Sequence, residues 1–234
     1  MVNIIEISSS EEEDNYKEID VVKYPIGRIE NYVYKIKIPN EFKIRNNIFY
    51  ISDLSRLLPG TWLNDKIINF YFELLSETFV DTYFFNTFTY SRIVQTYSKE
   101  DLRKQYDEIN FERYNSFIFP IHTMSHWSLV KIDRKRIIGF DSLGTVPYRV
   151  LRNIKWFYLN VILNSDDHSE NSIPLKLDCN CPKQENMDDC GVFCCMYAKY
   201  YSSTNDVTQF ASSDIRKMRF KMIHEILAGK IMYF

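Results

Sequence analysis

The sequence lacks an apolar run long enough to cross a membrane, and it lacks the features of a secretory signal. No stretch of its 234 residues approaches the roughly 20 consecutive apolar residues that a membrane-spanning helix needs. The N-terminal segment is acidic, whereas a signal peptide begins with basic residues and continues with an apolar stretch and small residues. We therefore expect no membrane interaction and a location in the nucleus, the cytoplasm or both.

The sequence also has little net charge. Its 29 basic and 31 acidic residues give a formal net charge of −2. Because nucleic acids and acidic lipids attract proteins through an excess of Lys and Arg, this balance predicts that the chain binds neither. Hydrophobic residues make up 45% of the chain, which is enough to bury one substantial core. The composition predicts one domain with a tail.

The five cysteines are odd in number and closely spaced, between Cys179 and Cys195. Cys190, Cys194 and Cys195 share one predicted helix, in which disulfide geometry is hard to reach, so we expect a reducing compartment. The pair Cys179 and Cys181 lacks the two-residue gap of zinc knuckles and has no second ligand pair. We expect no metal and no cofactor, and we expect Cys194 and Cys195 to be core residues.

Residues 1–23 differ in character from the rest of the chain. Ile4-Ile5-Glu6-Ile7 is followed by three serines and four acids without a helical period. This composition predicts a disordered acidic tail.

Beyond the tail, apolar periodicity and capping residues predict several helices and strands. The predicted helices are Ser52 to Leu58, Asn64 to Leu75, Pro147 to Leu163, one starting at Cys190, and Ser213 to Gly229. The predicted strands are Ser116 to Ile121, Trp127 to Ile132 and Ile137 to Phe140.

Cys190 is the residue most clearly placed for chemistry. It ends a polar turn and starts an uncharged run from Gly191 to Ala198 that predicts a buried helix. Free N–H groups and the helix dipole favour an anion at such an N-terminus, and a thiolate is an anion. This position predicts a nucleophilic cysteine.

A nucleophilic thiol needs an imidazole and a group that orients it. His126 begins one predicted strand and Asp141 follows its antiparallel partner strand, so a tight hairpin makes them neighbours. His126 alone would more often be a satisfied polar residue at a strand edge, and the pairing with Asp141 together with the cysteine motif favours a catalytic role instead. The sequence positions of the remaining histidines, His122, His168 and His224, suggest ordinary surface or half-buried roles.

Gln184 precedes Cys190 by six positions, in a turn that contains Pro182. Its amide is close enough in sequence to share an oxyanion hole with the Cys190 backbone N–H. The alternative for Gln184 is an exposed loop residue.

Three sequence blocks together resemble the ubiquitin-like-protein-specific cysteine proteases, which are the deSUMOylating enzymes. The likeness runs from about Asn46 to Phe234. The blocks are Trp62-Leu63-Asn64-Asp65, then His126-Trp127-Ser128-Leu129 with Phe140-Asp141-Ser142-Leu143, and Pro182-x-Gln184 with Asp189-Cys190-Gly191.

The resemblance implies an α+β papain-like fold in which a helix bearing the nucleophile packs on a mixed, mainly antiparallel sheet. It implies that residues 24–234 form the catalytic domain. Cys190 would be the nucleophile, His126 the general base, Asp141 its orienter and Gln184 the oxyanion donor.

The resemblance also assigns Trp62 and Trp127 to the walls of a tunnel around the Gly-Gly tail of the modifier, and Asp65 to its surface. Glycine alone lets a backbone pass between two indoles. The alternative is two core tryptophans, which we expect less for Trp127 because it adjoins His126. For Asp65, an acid in the first turn of a helix is an equal explanation.

The segment Phe84 to Tyr90 is similar to the SUMO-directed branch of the family. Ile4, Ile5 and Ile7, followed by serines and acids, are similar to a SUMO-interaction motif that adds a strand to the modifier, with a plain solubilising arm as the alternative.

We therefore expect a monomeric thiol isopeptidase that cleaves after the Gly-Gly of SUMO, with SUMO and SUMO-conjugated proteins as partners. The alternatives are a deneddylating isopeptidase, an acyltransferase with a related triad, and a SUMO-binding adaptor without activity.

Overall fold

The computed structural model describes residues 16–23, 32–96, 98–133, 136–164 and 173–232, and it starts with two antiparallel hairpins. Strand β1 (Tyr16–Lys23) pairs with β2 (Tyr32–Pro39), and β3 (Glu41–Ile44) pairs with β4 (Asn47–Tyr50). The β-branched residues of the β1 and β2 sequences favour extended backbone.

The prediction of a disordered tail over residues 1–23 is therefore wrong for β1, because pairing with β2 supplies backbone partners that local composition does not reveal. The predicted SUMO-interaction residues Ile4, Ile5 and Ile7 lie outside the described residues.

A five-stranded mixed sheet forms the centre of the structure. Its order is β5 (Thr82–Phe84), β6 (Ser116–Thr123), β7 (His126–Asp133), β8 (Arg136–Phe140) and β9 (Leu175–Leu177). The three central strands are antiparallel, and each edge strand is parallel to its neighbour. The three predicted strands are confirmed as β6, β7 and β8, each slightly longer than predicted.

Seven α-helices surround the sheet in the described residues. They are α1 (Ile51–Leu54), α2 (Asp65–Thr78), α3 (Thr89–Thr96), α4 (Lys99–Lys104), α5 (Tyr148–Phe157), α6 (Cys190–Thr204) and α7 (Ile215–Ala228). Single turns of 3₁₀-helix occupy Ser55–Leu57, Phe111–Arg113 and Ser212–Asp214. The predicted helix Pro147 to Leu163 is confirmed as α5 with a π-helical extension, Tyr158–Ile162. The whole is an α+β fold, as predicted.

The sheet separates two apolar cores because side chains alternate between its faces. Leu129 and Phe140 face one core, which they form with apolar residues of α2, α6 and α7. Val130 and Ile137 face the other, which contains residues of α3 and α5. Burial on both faces explains why these strands consist largely of apolar residues.

Helix α6 is buried from Cys190 to Tyr201, which includes the uncharged run Gly191 to Ala198 that predicts a buried helix. Cys194 and Cys195 are fully buried core residues, as expected, and burial raises the pKa of both thiols. A helix enclosed on all sides holds its first residue in a fixed place.

The predicted starts of two helices are wrong. α1 begins after Tyr50 rather than at Ser52, because the Asp53 carboxylate accepts the Tyr50 backbone N–H at 2.9 Å. Likewise Ser213 lies within a 3₁₀ turn, and Asp214 precedes α7. In both places a nearby acid, rather than the serine, satisfies a backbone N–H at the helix start.

Two other helix boundaries are confirmed. Asn64 caps α2 by accepting the Ile67 backbone N–H at 3.0 Å. Gly229 ends α7 with a φ of +61°, a left-handed conformation that glycine adopts without strain. In the described ranges no helix combines the length and apolarity of a membrane span.

Candidate active site

His126 and Asp141 meet at one end of the sheet. A tight turn between β6 and β7 places Met124 and Ser125 at φ values of +50° and +59°, so that His126 opens β7. Asp141 directly follows β8, the antiparallel partner of β7. The distance from His126 Nε2 to Asp141 Oδ1 is 3.0 Å, which confirms the predicted pairing.

Asp141 is buried and held as a carboxylate. Its Oδ1 atom accepts the backbone N–H groups of Leu143 at 2.8 Å and Gly144 at 2.9 Å, besides contacting His126. Burial opposes ionisation, but the hydrogen bonds from His126 and from the two N–H groups outweigh it and lower the Asp141 pKa. A fixed negative charge therefore lies beside the imidazole.

The pKa of His126 is raised by its two neighbours. Its hydrogen bond to Asp141, followed by its hydrogen bond to Cys190, raises the His126 pKa from 6.5 to about 9. Because Nε2 contacts Asp141, the ring nitrogen left for the Cys190 thiol is Nδ1.

Cys190 is the first residue of α6 and is buried. The helix starts here because the Asp189 carbonyl accepts the Phe193 N–H at 2.9 Å, the first bond of the helical ladder. Gly191 allows this turn to approach the chain before α2: a Cβ atom at Gly191 would lie 2.8 Å from Leu63 Cβ. The helix N-terminus thus lies directly against the segment that carries Trp62.

Gln184 is buried, so it is not the exposed loop residue of the alternative interpretation. Its side chain joins Ser142, which follows Asp141, to Asn186, which precedes Cys190. Its Oε1 atom accepts the Ser142 hydroxyl at 2.5 Å, and its backbone N–H donates to the Ser142 carbonyl at 2.9 Å. Its Nε2 atom donates to the Asn186 carbonyl at 2.6 Å. The amide is therefore oriented with its NH₂ group toward the loop that precedes Cys190.

The two tryptophans differ in exposure. Trp62 is 49% exposed, and its indole N–H donates to Asp188 Oδ1 at 3.3 Å. Trp127 is 5% exposed, donates to the Leu63 carbonyl at 3.3 Å and packs on the His122 ring. The expectation that Trp127 is not a core residue is wrong, because a backbone carbonyl satisfies its N–H and neighbouring side chains cover its ring.

The remaining predicted positions are less informative. Asp65 is the first residue of α2 and partly exposed, which agrees with the helix-start explanation and leaves its side chain accessible. His122 is exposed and His224 lies on α7, outside the His126 to Asp141 pair. His168 lies outside the described residues.

The segment Phe84 to Tyr90 is fixed to α2 by Asn69. The Asn69 side chain accepts the Thr87 N–H at 2.9 Å and donates to the Thr87 hydroxyl at 2.9 Å. This segment is thereby connected to the helix that begins three residues after Trp62.

Sequence reasoning missed Lys183, which supports the turn after Asp141. Its ammonium donates to the Asp141 carbonyl at 2.7 Å and to the Gly144 carbonyl at 2.9 Å. No periodicity or spacing signals such a role, because both acceptors are backbone atoms. The second residue missed is Arg219 on α7, which contacts Asp189.

The five cysteines are free thiols. Cys179 is exposed, and the buried Cys181 directs its sulfur to the Asp178 carbonyl at 3.1 Å. Within the described ranges, no group of three or more His, Cys, Asp or Glu side chains is arranged to hold a metal ion.

Comparison with known families gives a match over most of the chain. Residues 61–231 match the profile of the Ulp1 protease family, C-terminal catalytic domain. Sentrin-specific protease 2 of Pongo abelii is 30% identical over 196 residues, covering 77% of this chain and 32% of that protein. Sentrin-specific protease 3 of Homo sapiens is 27% identical over 193 residues, covering 80% and 33%. The chain thus spans about a third of the length of these curated relatives.

Solved structures match the fold as well. The C-terminal Ulp1 protease domain in complex with Smt3, the yeast ortholog of SUMO, is 26% identical with a TM-score of 0.71, over 81% of this chain and 87% of that one. The Ulp1-like SUMO protease catalytic domain of Chaetomium thermophilum is 21% identical with a TM-score of 0.68, over 82% and 83%, and supports the fold alone. The predicted papain-like cysteine protease fold is confirmed.

Proposed function

The chain belongs to the Ulp1 protease family, and from this membership we propose that it is a cysteine protease that cleaves after the C-terminal Gly-Gly of SUMO. It would release SUMO from target lysines, mature its precursor, or do both. The observation that carries the proposal is the 3.0 Å contact between His126 Nε2 and Asp141 Oδ1, beside a Cys190 thiol that also raises the His126 pKa.

In this proposal Cys190 is the nucleophile and His126 first acts as its base. Transfer of the thiol proton to His126 gives a thiolate and an imidazolium, which Asp141 stabilises. A His126 pKa of about 9 keeps this proton on the ring at neutral pH. The imidazolium is then available to protonate the leaving amine.

The thiolate sulfur attacks the carbonyl carbon of the terminal glycine. The resulting oxyanion would be stabilised by the Cys190 backbone N–H and the Gln184 amide. When the C–N bond breaks, His126 gives its proton to the leaving lysine amine, and a thioester remains on Cys190. His126 then takes a proton from water, which attacks the thioester and releases the SUMO carboxylate.

Trp62 and Trp127 would confine the Gly-Gly tail next to the nucleophile. The exposure of Trp62 supports a role as the outer wall, and the buried Trp127 would form the inner wall. Asp65 would contact the surface of the modifier. The segment Phe84 to Tyr90 would favour SUMO over the deneddylase substrate.

We extend the proposal to partners and location. SUMO and SUMO-conjugated proteins would be the partners, bound by a monomer in the nucleus or cytoplasm. Ile4, Ile5 and Ile7 would add a strand to SUMO. Titration of labelled SUMO with a peptide of residues 1–15 tests this role, and an unchanged spectrum at high peptide concentration excludes it.

Reaction with activated modifiers tests the central proposal. The protein is incubated with SUMO and, separately, with the deneddylase substrate, each carrying a C-terminal vinyl sulfone, and adducts are separated by gel electrophoresis. We expect an adduct with SUMO alone that is absent in Cys190→Ala. An adduct with the other modifier would assign the chain to the deneddylating branch. Adducts with neither would contradict the proposal and favour an adaptor or an acyltransferase.

A further inference from the structure

Arg219 is a fully buried charge on α7, with a side chain only 1% exposed. A guanidinium has five N–H donors, and each one has a partner here. Nε donates to Asp189 Oδ1 at 2.6 Å, Nη1 to the carbonyls of Arg56 at 3.3 Å and Leu58 at 3.1 Å, and Nη2 to the carbonyls of Thr61 at 2.9 Å and Asp188 at 3.0 Å.

These partners come from two segments, each ending next to a site residue. Residues 56–61 lead directly into Trp62, and Asp188 and Asp189 lead directly into Cys190. Arg219 on α7 therefore joins the two segments by hydrogen bonds to both. The Trp62 indole also donates to Asp188 Oδ1 at 3.3 Å, so a second link joins the segments near the surface.

The carboxylate of Asp189 is fixed on both sides. Its Oδ1 atom faces Arg219, and its Oδ2 atom accepts the Asn186 side-chain amide at 2.7 Å. Asn186 Oδ1 in turn accepts the backbone N–H groups of Asp188 at 3.0 Å and Asp189 at 3.2 Å. Asn186, Asp188 and Asp189 thus form one hydrogen-bonded network, and Arg219 is the cation that contacts it.

A buried charge with this many backbone acceptors indicates a geometric role. Stability alone does not demand it, because apolar residues of similar volume often replace buried ion pairs without loss. A lysine has three donors on a single atom and cannot reach five acceptors that lie around a plane. The arrangement requires a guanidinium.

We propose that Arg219 is a positioning residue that sets the distance between the Trp62 wall and Cys190. This inference rests on the proposed function, since that distance decides where the glycine carbonyl lies relative to the sulfur. Displacement of reacting groups by about 1 Å can lower a rate by about a hundredfold. Arg219 acts through other residues and does not itself touch the substrate.

The test compares Arg219→Lys with Glu225→Gln as a matched control. Glu225 also lies on α7 and forms a buried ion pair with α6, at 2.6 Å from Lys199, far along the helix from Cys190. Cleavage of a fluorogenic amide of SUMO is measured at a temperature at which circular dichroism shows every variant to be folded. For Arg219→Lys we expect kcat to fall about 10- to 100-fold with KM within about threefold of wild type. For Glu225→Gln we expect kcat to be unchanged.

A double-mutant cycle with Trp62→Ala separates positioning from a general structural effect. If Arg219 acts through the Trp62 wall, the lysine substitution costs less in the Trp62→Ala background than in the wild type. Equal losses in both backgrounds, an unchanged kcat in Arg219→Lys, or an equal loss in Glu225→Gln would each overturn the proposal. If Arg219→Lys does not fold, Asp189→Asn, which removes the charge but keeps an oxygen acceptor, takes its place with the same expectations.

A readout without substrate keeps this proposal distinct from the proposed function. If the wild type does not cleave SUMO, the function is wrong, but the geometry is still testable by NMR. The indole N–H resonance of Trp62 should shift in Arg219→Lys while that of Trp156, which lies on α5 against the other core, stays in place. An unmoved Trp62 resonance would contradict the positioning role.

Discussion

Replacement of Asp141 by Asn tests the electrostatic basis of the site. The carboxylate is the main cause that raises the His126 pKa from 6.5 to about 9, and Cys190 is the second cause. The difference corresponds to about 3 kcal/mol of preference for the imidazolium. An asparagine oxygen can still accept the N–H groups of Leu143 and Gly144, so the turn should persist while the charge is lost.

We expect the His126 pKa to fall to between about 7 and 8 in Asp141→Asn, since a neighbouring opposite charge commonly contributes one to three pH units. The measurement is an NMR titration of the His126 ring. Cys190→Ala serves as the control, and it should lower the pKa less, because Cys190 is the smaller cause. A His126 pKa near 9 in Asp141→Asn, or a larger decrease in Cys190→Ala, would refute the reasoning.

The same substitution changes how stability depends on pH. A histidine whose pKa is raised by folding stabilises the protein fully below pH 6.5, and this contribution is lost as the pH rises toward about 9. Lys131 opposes this trend, because burial lowers its pKa to about 8. At each pH the free energy of unfolding of Asp141→Asn is therefore subtracted from that of the wild type, which removes the Lys131 contribution common to both. The difference should decrease between pH 6.5 and 9, and a constant difference would argue against the assignment.

Two further substitutions test the packing and the oxyanion donor. Gly191→Ala should lower the free energy of unfolding in urea by about 1–3 kcal/mol, because the new Cβ would lie 2.8 Å from Leu63 Cβ. Gly144→Ala is the control, since its Cβ would meet nothing within 4 Å. Equal stability of the two variants would contradict the contact. Gln184→Ala should lower kcat for a SUMO amide by about 10²- to 10³-fold with little change in KM. Ser142→Ala removes only the hydroxyl that donates to the Gln184 oxygen, so its kcat should fall less. A decrease in kcat of under about tenfold in Gln184→Ala would exclude an oxyanion role.

The parts of the site that the sequence predicts are those formed by local structure. His126 and Asp141 lie on one hairpin, so alternation along two strands is enough to bring them together. Cys190 is recognisable because a polar turn precedes an uncharged helix. The proposed catalytic residues could therefore be named from periodicity and from the resemblance to a family.

The parts that the sequence does not predict depend on contacts between distant segments. Edge strands β5 and β9 have three residues each and pair in parallel, which leaves no alternation to detect. The burial of Trp127 depends on the Leu63 carbonyl, and Arg219 contacts mainly backbone atoms, which carry no residue identity. The predicted helix starts at serines are wrong for a related reason. Whether Ser52 or Asp53 accepts a backbone N–H depends on the direction in which the preceding backbone runs, and here Asp53 accepts the N–H of Tyr50.

The position of Arg219 near the C-terminal end of the fold has a consequence for synthesis on the ribosome. The hairpin of His126 and Asp141 leaves the exit tunnel first and can close through local pairing, and Cys190 follows. The segments before Trp62 and Cys190 acquire their common partner only when α7 has emerged and docked. A nascent chain that already contains His126, Asp141 and Cys190 therefore still lacks Arg219, which joins these two segments. On the proposals made here for Cys190 and Arg219, proteolytic competence would appear only after α7 has emerged and packed.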